Sequence, residues 1–320
     1  MVLVDSNKEI ADGASEDYRR TYQKDVQSAL NISGQVALTG MTTYESAFWL
    51  ATEISGKITG NGGLKFSGTA NALWGKNAYL VLSNSENDFQ GGITINRTDG
   101  VGIVRVTNGG ALGSGAVNIE DTDDILSYRG TVGESFDTIS NKIEGYGSIY
   151  IDSGKVAMRG DNSAFSGNIS VNAGALAAGS ASALGTGAVT VADGATLQIS
   201  VQNVDAGTIS LTGNARIVVD LADFKTALDS TDVLTILTDT ALTFNGVSML
   251  AGTLTNEQLS PYMSVIDSSG SFESYVNQAT WAYDGSNLTL TIPEPSAFGW
   301  LAGVGALALC VSRRRRVKKA

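Results

Sequence analysis

The densest run of carboxylates in this 320-residue chain is Glu120, Asp121, Asp123 and Asp124, with Arg129 close behind. Oxygen ligands so closely spaced could hold a calcium ion, and two carboxyls flanking a glycosidic bond could cut a sugar chain. The plainer reading is a solvated loop between two strands. It is preferred because the corresponding place later in the chain is Ala192-Asp193-Gly194, which does not reproduce the cluster. The sequence leaves calcium binding by the loop open. Asp152 and Asp161 with Arg159 form a second candidate group, but strand alternation makes them outward-facing polar positions. Gly60 to Gly63 lacks the Lys-Ser/Thr of a phosphate loop and reads as a turn. Trp49, Trp74 and Trp281 could stack on sugars, yet they lie too far apart to form one site, so core or cap packing is expected.

There is no histidine in the chain. A Ser-His-Asp triad, a Cys-His dyad and a classical zinc site are therefore excluded. The single cysteine, Cys310, has no partner for an internal disulfide. No catalytic residue, metal ligand or cofactor site is assigned. The net charge is −11, and a basic cluster from Arg313 to Lys319 conceals a still more acidic body. Such a surface disfavours nucleic acid, which needs basic groups to displace its counterions.

The other residues with a chemical signature lie at the C-terminus. Pro293, Glu294 and Pro295 precede an uncharged run, Ala297 to Ser312, and Arg313, Arg314, Arg315 and Arg316 follow it. As a helix that run spans about 24 Å, somewhat short of the hydrocarbon core, a gap that snorkelling basic residues narrow. Basic residues beyond a span stop transfer and place the body on the outer side. A single transmembrane helix is expected here, anchoring the chain at first in the inner membrane.

The elements ahead of the tail read as mostly β. Glycine is abundant, with 38 residues against three prolines, as short strands and tight turns require. Residues 1–54 are the exception. Tyr18, Tyr22, Val26 and Leu30 recur at every fourth position behind Ser15, which predicts an amphipathic helix capped by that serine. From about Ser55 the text alternates apolar and polar residues and repeats itself. Lys57 to Gly68 resembles Lys142 to Ser153, Asn87 to Asn96 resembles Ser163 to Asn172, and Ala111 to Ile119 resembles Ala183 to Val191. Three blocks in one order indicate an internal duplication. Units of this kind bury their apolar face only by stacking, which predicts a β-solenoid over 55–207. Phe89 and Phe165 occupy matching places and are expected to stack inside the coils or cap a turn. Residues 208–292 stay β-rich without the repeat and read as a C-terminal cap, with short helical turns at Asp223–Leu228 and Asn256–Leu259. Residues 293–320 form the tail.

The tail closely resembles the PEP-CTERM sorting signal: Pro-Glu-Pro, a short apolar helix, then terminal arginines. Ser296 to Gly303 is similar to the version found in Verrucomicrobia. That resemblance implies recognition by an exosortase, a membrane cysteine transpeptidase, and removal of the tail near the motif. The repeat blocks resemble autotransporter-associated β-strand repeats, on "Phe-x-Gly-x-Ile-x-Val-Asn" and "Ala-Leu-Gly-x-Gly-Ala-Val" phrases between about Ile54 and Val201, which implies a right-handed parallel β-helix. Proteins with such tails begin with a secretory leader. Met1-Val-Leu-Val-Asp5 supplies neither a basic nor an apolar leader segment, so a truncated product or misassigned start is expected. The function implied is an exported, non-enzymatic structural or adhesin-like protein of the cell surface or extracellular matrix, with exosortase, the membrane and extracellular polysaccharide or matrix as its expected partners. The alternative is a carbohydrate-active β-helix enzyme, a polysaccharide lyase or hydrolase.

Overall fold

The structure, a computed structural model, describes residues 8–9, 22–26, 30–34, 36–39, 50–69, 77–133, 135–228, 233–248 and 254–292. It is an all-β chain built as a parallel β-solenoid with few helices. One 12-stranded sheet runs the length of the stack, from Lys8–Glu9 to Val247–Ser248. A second sheet, from Val36–Thr39 to Ile143–Gly145, flanks its first half. A third, from Asp137–Ile139 to Met263–Ile266, flanks the second half.

Alternation along each strand sends one set of side chains inward, and parallel pairing stacks them in rows, with register shifts only at strand ends, Tyr128/Arg129 and Ser67/Thr69, among the described parallel pairs. In the long sheet one row runs Leu80, Val104, Leu126, Ile149, Ile169, Val189, Ile209 and Leu242. The third sheet faces it with Val156, Leu176, Leu197 and Ile217. All of these are buried in one contiguous apolar cluster that extends from Ile32 to Ile292. Fully burying such a side chain is worth about 1.5–3 kcal/mol, so each coil adds its share only once a neighbour covers it.

The helix expected in the N-terminal region is corrected where the structure describes it. Tyr22–Val26 is a strand, in parallel register with Leu50–Ile54 from Tyr22↔Leu50 to Val26↔Ile54. A spacing of four fits a helix face, but it is also a multiple of the strand period of two. The adjoining coil offers a ladder, and the ladder prevails. Ser15 and Tyr18 lie outside the described residues. The ladder also continues past residue 207, through Thr208–Leu211 to Ala241–Phe244.

Both ends of the long sheet are closed by antiparallel strands, Lys8–Glu9 on Tyr22–Val26 and Val247–Ser248 on Ala241–Phe244. Reversing strand direction there blunts an edge that would otherwise template a further parallel strand. A separate four-stranded sheet of Val204–Asp205, Val233–Thr238, Leu288–Thr291 and Thr280–Tyr283 adjoins the C-terminal end. Tyr283 ties it to the solenoid: its hydroxyl donates to the Thr240 carbonyl at 2.9 Å and accepts from the Leu242 amide at 3.1 Å. Short helical turns lie at Leu221–Phe224, Lys225–Leu228 and Asn256–Leu259, where the sequence places them, and also at Gly109–Leu112 and Glu273–Val276, where it does not.

Candidate functional site

The acidic run does not gather into one site. Glu120 accepts hydrogen bonds from the amides of Asn96 and Asn118, on neighbouring and own coils respectively. Asp121 accepts from the Asp123 amide within its own turn, and Asp123 and Arg129 are exposed. Among the described residues no three of His, Cys, Asp and Glu are grouped to hold a metal ion.

Asp124 departs from the solvated-loop expectation, because it is buried completely. Its two carboxylate oxygens accept the backbone amides of Arg97 at 2.8 Å and Gly102 at 2.7 Å, where the chain turns from the second sheet into the long one. A methyl group at Gly102, the second residue of the strand Val101–Val106, would fall 2.6 Å from the nearer oxygen, so glycine there leaves room for the carboxylate. Burial pushes the carboxyl up to about 6, against the two amide bonds that lower it. The folded state therefore holds this proton more tightly than the unfolded chain, so this group's own contribution to stability is fully present below about pH 4 and is lost as pH rises through 6. A shift of that size corresponds to about 2–3 kcal/mol. Asp124→Asn is expected to be less stable than wild type at low pH and to lack this decline. Denaturant midpoints collected from pH 4 to 7 check it; a parallel decline in both proteins would sink the assignment.

The second acidic group is dispersed: Asp152 faces outward on the strand Ser148–Ser153, whereas Arg159 and Asp161 are exposed beyond the end of Lys155–Met158. Asp152 accepts from Ser127 at 2.7 Å and Asn172 at 2.9 Å, whereas Asp161 accepts from the Ser163 amide and the Ser182 hydroxyl. Those bonds to Ser163 and Ser182 hold the Asp161 carboxyl below its usual range. Arg159 is exposed and joins neither. Gly62 and Gly63 pack against the backbone of Gly34 and Gly91, so Gly60 to Gly63 is a contact between coils and not a phosphate cradle. Trp281 is buried in the small sheet, and Trp49 and Trp74 lie outside the described residues.

The duplicated blocks coincide in space, with one adjustment. Asn87 accepts the Ile58 amide at 2.8 Å and donates to the Ala111 carbonyl at 2.9 Å. Asn162 does the same between Ile143 and Ala183, both at 2.7 Å. Matching the sequence blocks without a gap sets Asn87 against Ser163. The structure gives the role to Asn162 and lets the second copy carry one extra residue before Phe165. Phe89 and Phe165 are both fully buried, and their carbonyls accept from Ser114 and Thr186 at equivalent points of the next coil. These asparagines are what the repeat comparison missed, and an Asn just ahead of each Phe was the available signal.

The outer face of the long sheet changes character along its length. In the earlier coils it carries Tyr79, Ile103, Arg105, Ile125 and Tyr150, with the Arg105 guanidinium 5.1 Å from the centre of the Tyr79 ring. Later coils present Ser170, Thr190, Ser210 and Thr243 in one row. Small hydroxyls in register make a flat polar surface of no single chemistry.

The strand Leu288–Thr291 lies in the middle of the four-stranded sheet, antiparallel to its partners on both sides. Leu288 and Leu290 are fully buried, and Ile292 is 5% exposed. Pro293, Glu294, Pro295, the run Ala297 to Ser312 and the arginines Arg313 to Arg316 lie outside the described residues, and so does the expected transmembrane segment. Among the described residues no helix is long and apolar enough to cross a membrane.

Comparison with curated proteins and with solved structures finds no match. A family model does match at the C-terminus, beginning two residues ahead of the first proline and ending on the last arginine of the cluster. Residues 291–316 match the PEP-CTERM protein-sorting motif, which implies processing by an exosortase and export to the cell envelope or surface.

Proposed function

We propose that this chain is a structural or adhesin-like protein of the cell surface or extracellular matrix, without enzymatic activity. The observation that carries the reading is a sorting motif at 291–316 that begins on the final residue of the small sheet's strand Leu288–Thr291, beside a stacked solenoid closed at both ends of its longest sheet. A solenoid is a spacer: each coil is covered by the next, so length is added without a larger cross-section. Its outward Ser and Thr rows suit contact with hydrated polysaccharide or matrix. In this reading the run Ala297 to Ser312 crosses the inner membrane, Arg313 to Arg316 hold the end inside, and exosortase then acts near Pro293 to Pro295. The repeats belong with the autotransporter-associated type, in a right-handed helix. A carbohydrate-active enzyme is the weaker reading, since Glu120, Asp124, Asp152 and Asp161 are each held in separate hydrogen bonds to different partners.

Mass spectrometry of the C-terminal peptide, from protein recovered from envelope and medium, tests the sorting reading. A terminus near Pro293 to Pro295 is expected. A terminus at Ala320 on protein held in the inner membrane would refute it.

A further inference from the structure

Enzymes that cut or transfer peptide chains take the segment beside the reacting bond as an extended strand and pair with its main chain. The segment just ahead of Pro293 is extended, but its pairing is already used. Thr291 lies opposite Val233 on one side and Thr280 on the other, and Leu290 opposite Leu234 and Trp281. Leu290 and Ile292 are buried, and no spacer separates Ile292 from Pro293. The matched motif starts at residue 291, so its first residue, Thr291, belongs to the sheet, and its second, Ile292, is buried just beyond the strand's end. Further back, Leu288 pairs with Tyr283, whose hydroxyl is bonded to Thr240 and Leu242 of the solenoid end.

From this overlap we infer that the strand Leu288–Thr291 is an autoinhibitory contact on tail processing: exosortase reaches the motif productively only when Leu290 and Thr291 leave the sheet and Ile292 leaves its buried place. The inference rests on the sorting reading. The tethering of Tyr283 limits fraying to the strand's end, so release is a local opening and does not require unfolding of the stack. A chain whose final sheet has closed is processed slowly and stays tethered, and one whose sheet is still open is processed at once.

The test is a pulse-chase of tail removal from the full chain in an exosortase-bearing bacterium. It compares wild type, a chain with eight Gly/Ser residues inserted between Ile292 and Pro293, and Leu290→Ala. The insertion leaves the strand Leu288–Thr291 and everything from Pro293 onward unchanged in sequence, and it is expected to raise the processing rate roughly tenfold or more, the effect of removing a modest local opening step. Leu290→Ala is expected to raise it as well; should that variant be degraded, the insertion alone decides. Equal rates for wild type and insertion overturn the gate and leave the sorting reading standing. Absence of processing in every chain overturns both.

Discussion

Asn162→Ala is expected to destabilise the solenoid by about 3 kcal/mol, although the residue lies in a turn and on no ligand surface. The side chain is fully buried and serves three successive coils at once, taking the Ile143 amide from one and giving to the Ala183 carbonyl of another. Alanine leaves a buried N–H and a buried C=O without partners, each costing about 1–3 kcal/mol. Asn162→Asp is the sharper control. Its carboxylate can still accept from Ile143, but it cannot donate to Ala183 and carries charge into the interior, so it should be no better than alanine at neutral pH. Denaturant unfolding followed by circular dichroism gives the magnitude, and hydrogen exchange at the Ile143 amide gives the location. A loss under about 0.5 kcal/mol would mean that the two backbone groups find other partners and that the asparagine does not join the coils.

Gly185→Ala is expected to cost about 3 kcal/mol or more, whereas Gly194→Ala should cost only about 1 kcal/mol. Both glycines have positive φ, 66° and 73°, so both substitutions force an L-residue into the left-handed region. They differ in surroundings. A methyl group at Gly185 would overlap the Phe165 carbonyl oxygen and sit 3.0 Å from its ring, while at Gly194 it would meet nothing within 4 Å. The difference between the two variants therefore isolates the packing of one coil on the next. Gly113 over Phe89 repeats the arrangement in the first copy, with φ of 65° and the ring 2.8 Å from the added methyl. Equal destabilisation at 185 and 194 would show that conformational cost alone dictates glycine in these turns.

Together these contacts explain why the repeat takes its particular form. The Phe and the "Ala-Leu-Gly" phrase lie about one coil apart in each copy and meet face to face across the stack, with the buried Asn bonded to the alanine carbonyl. Inside, the residues are constrained by the coils above and below. On the outside, hydroxyl rows can change with little effect on stability.

Particular residues show where the sequence sufficed. Ile, Val and Leu alternating with Thr, Ser and Asn have a period that only a strand can bury on one face, so the strands and inward rows were legible from Ile58 to Ile209. Absent histidine and the Pro-Glu-Pro tail with its arginines likewise needed no coordinates. Three things did. The Tyr22–Val26 strand was ambiguous because a four-residue spacing satisfies both periods, and only the partner at Leu50–Ile54 removes the ambiguity. The burial of Asp124 depends on amides of Arg97 and Gly102, more than twenty residues away, brought to it by the preceding coil. The insertion of the last strand between Val233–Thr238 and Thr280–Tyr283 depends on pairings across the whole cap. Local alternation determined which residues point inward; only the stacking of distant coils decided what each inward group would meet, because a solenoid coil acquires its interior from its neighbours.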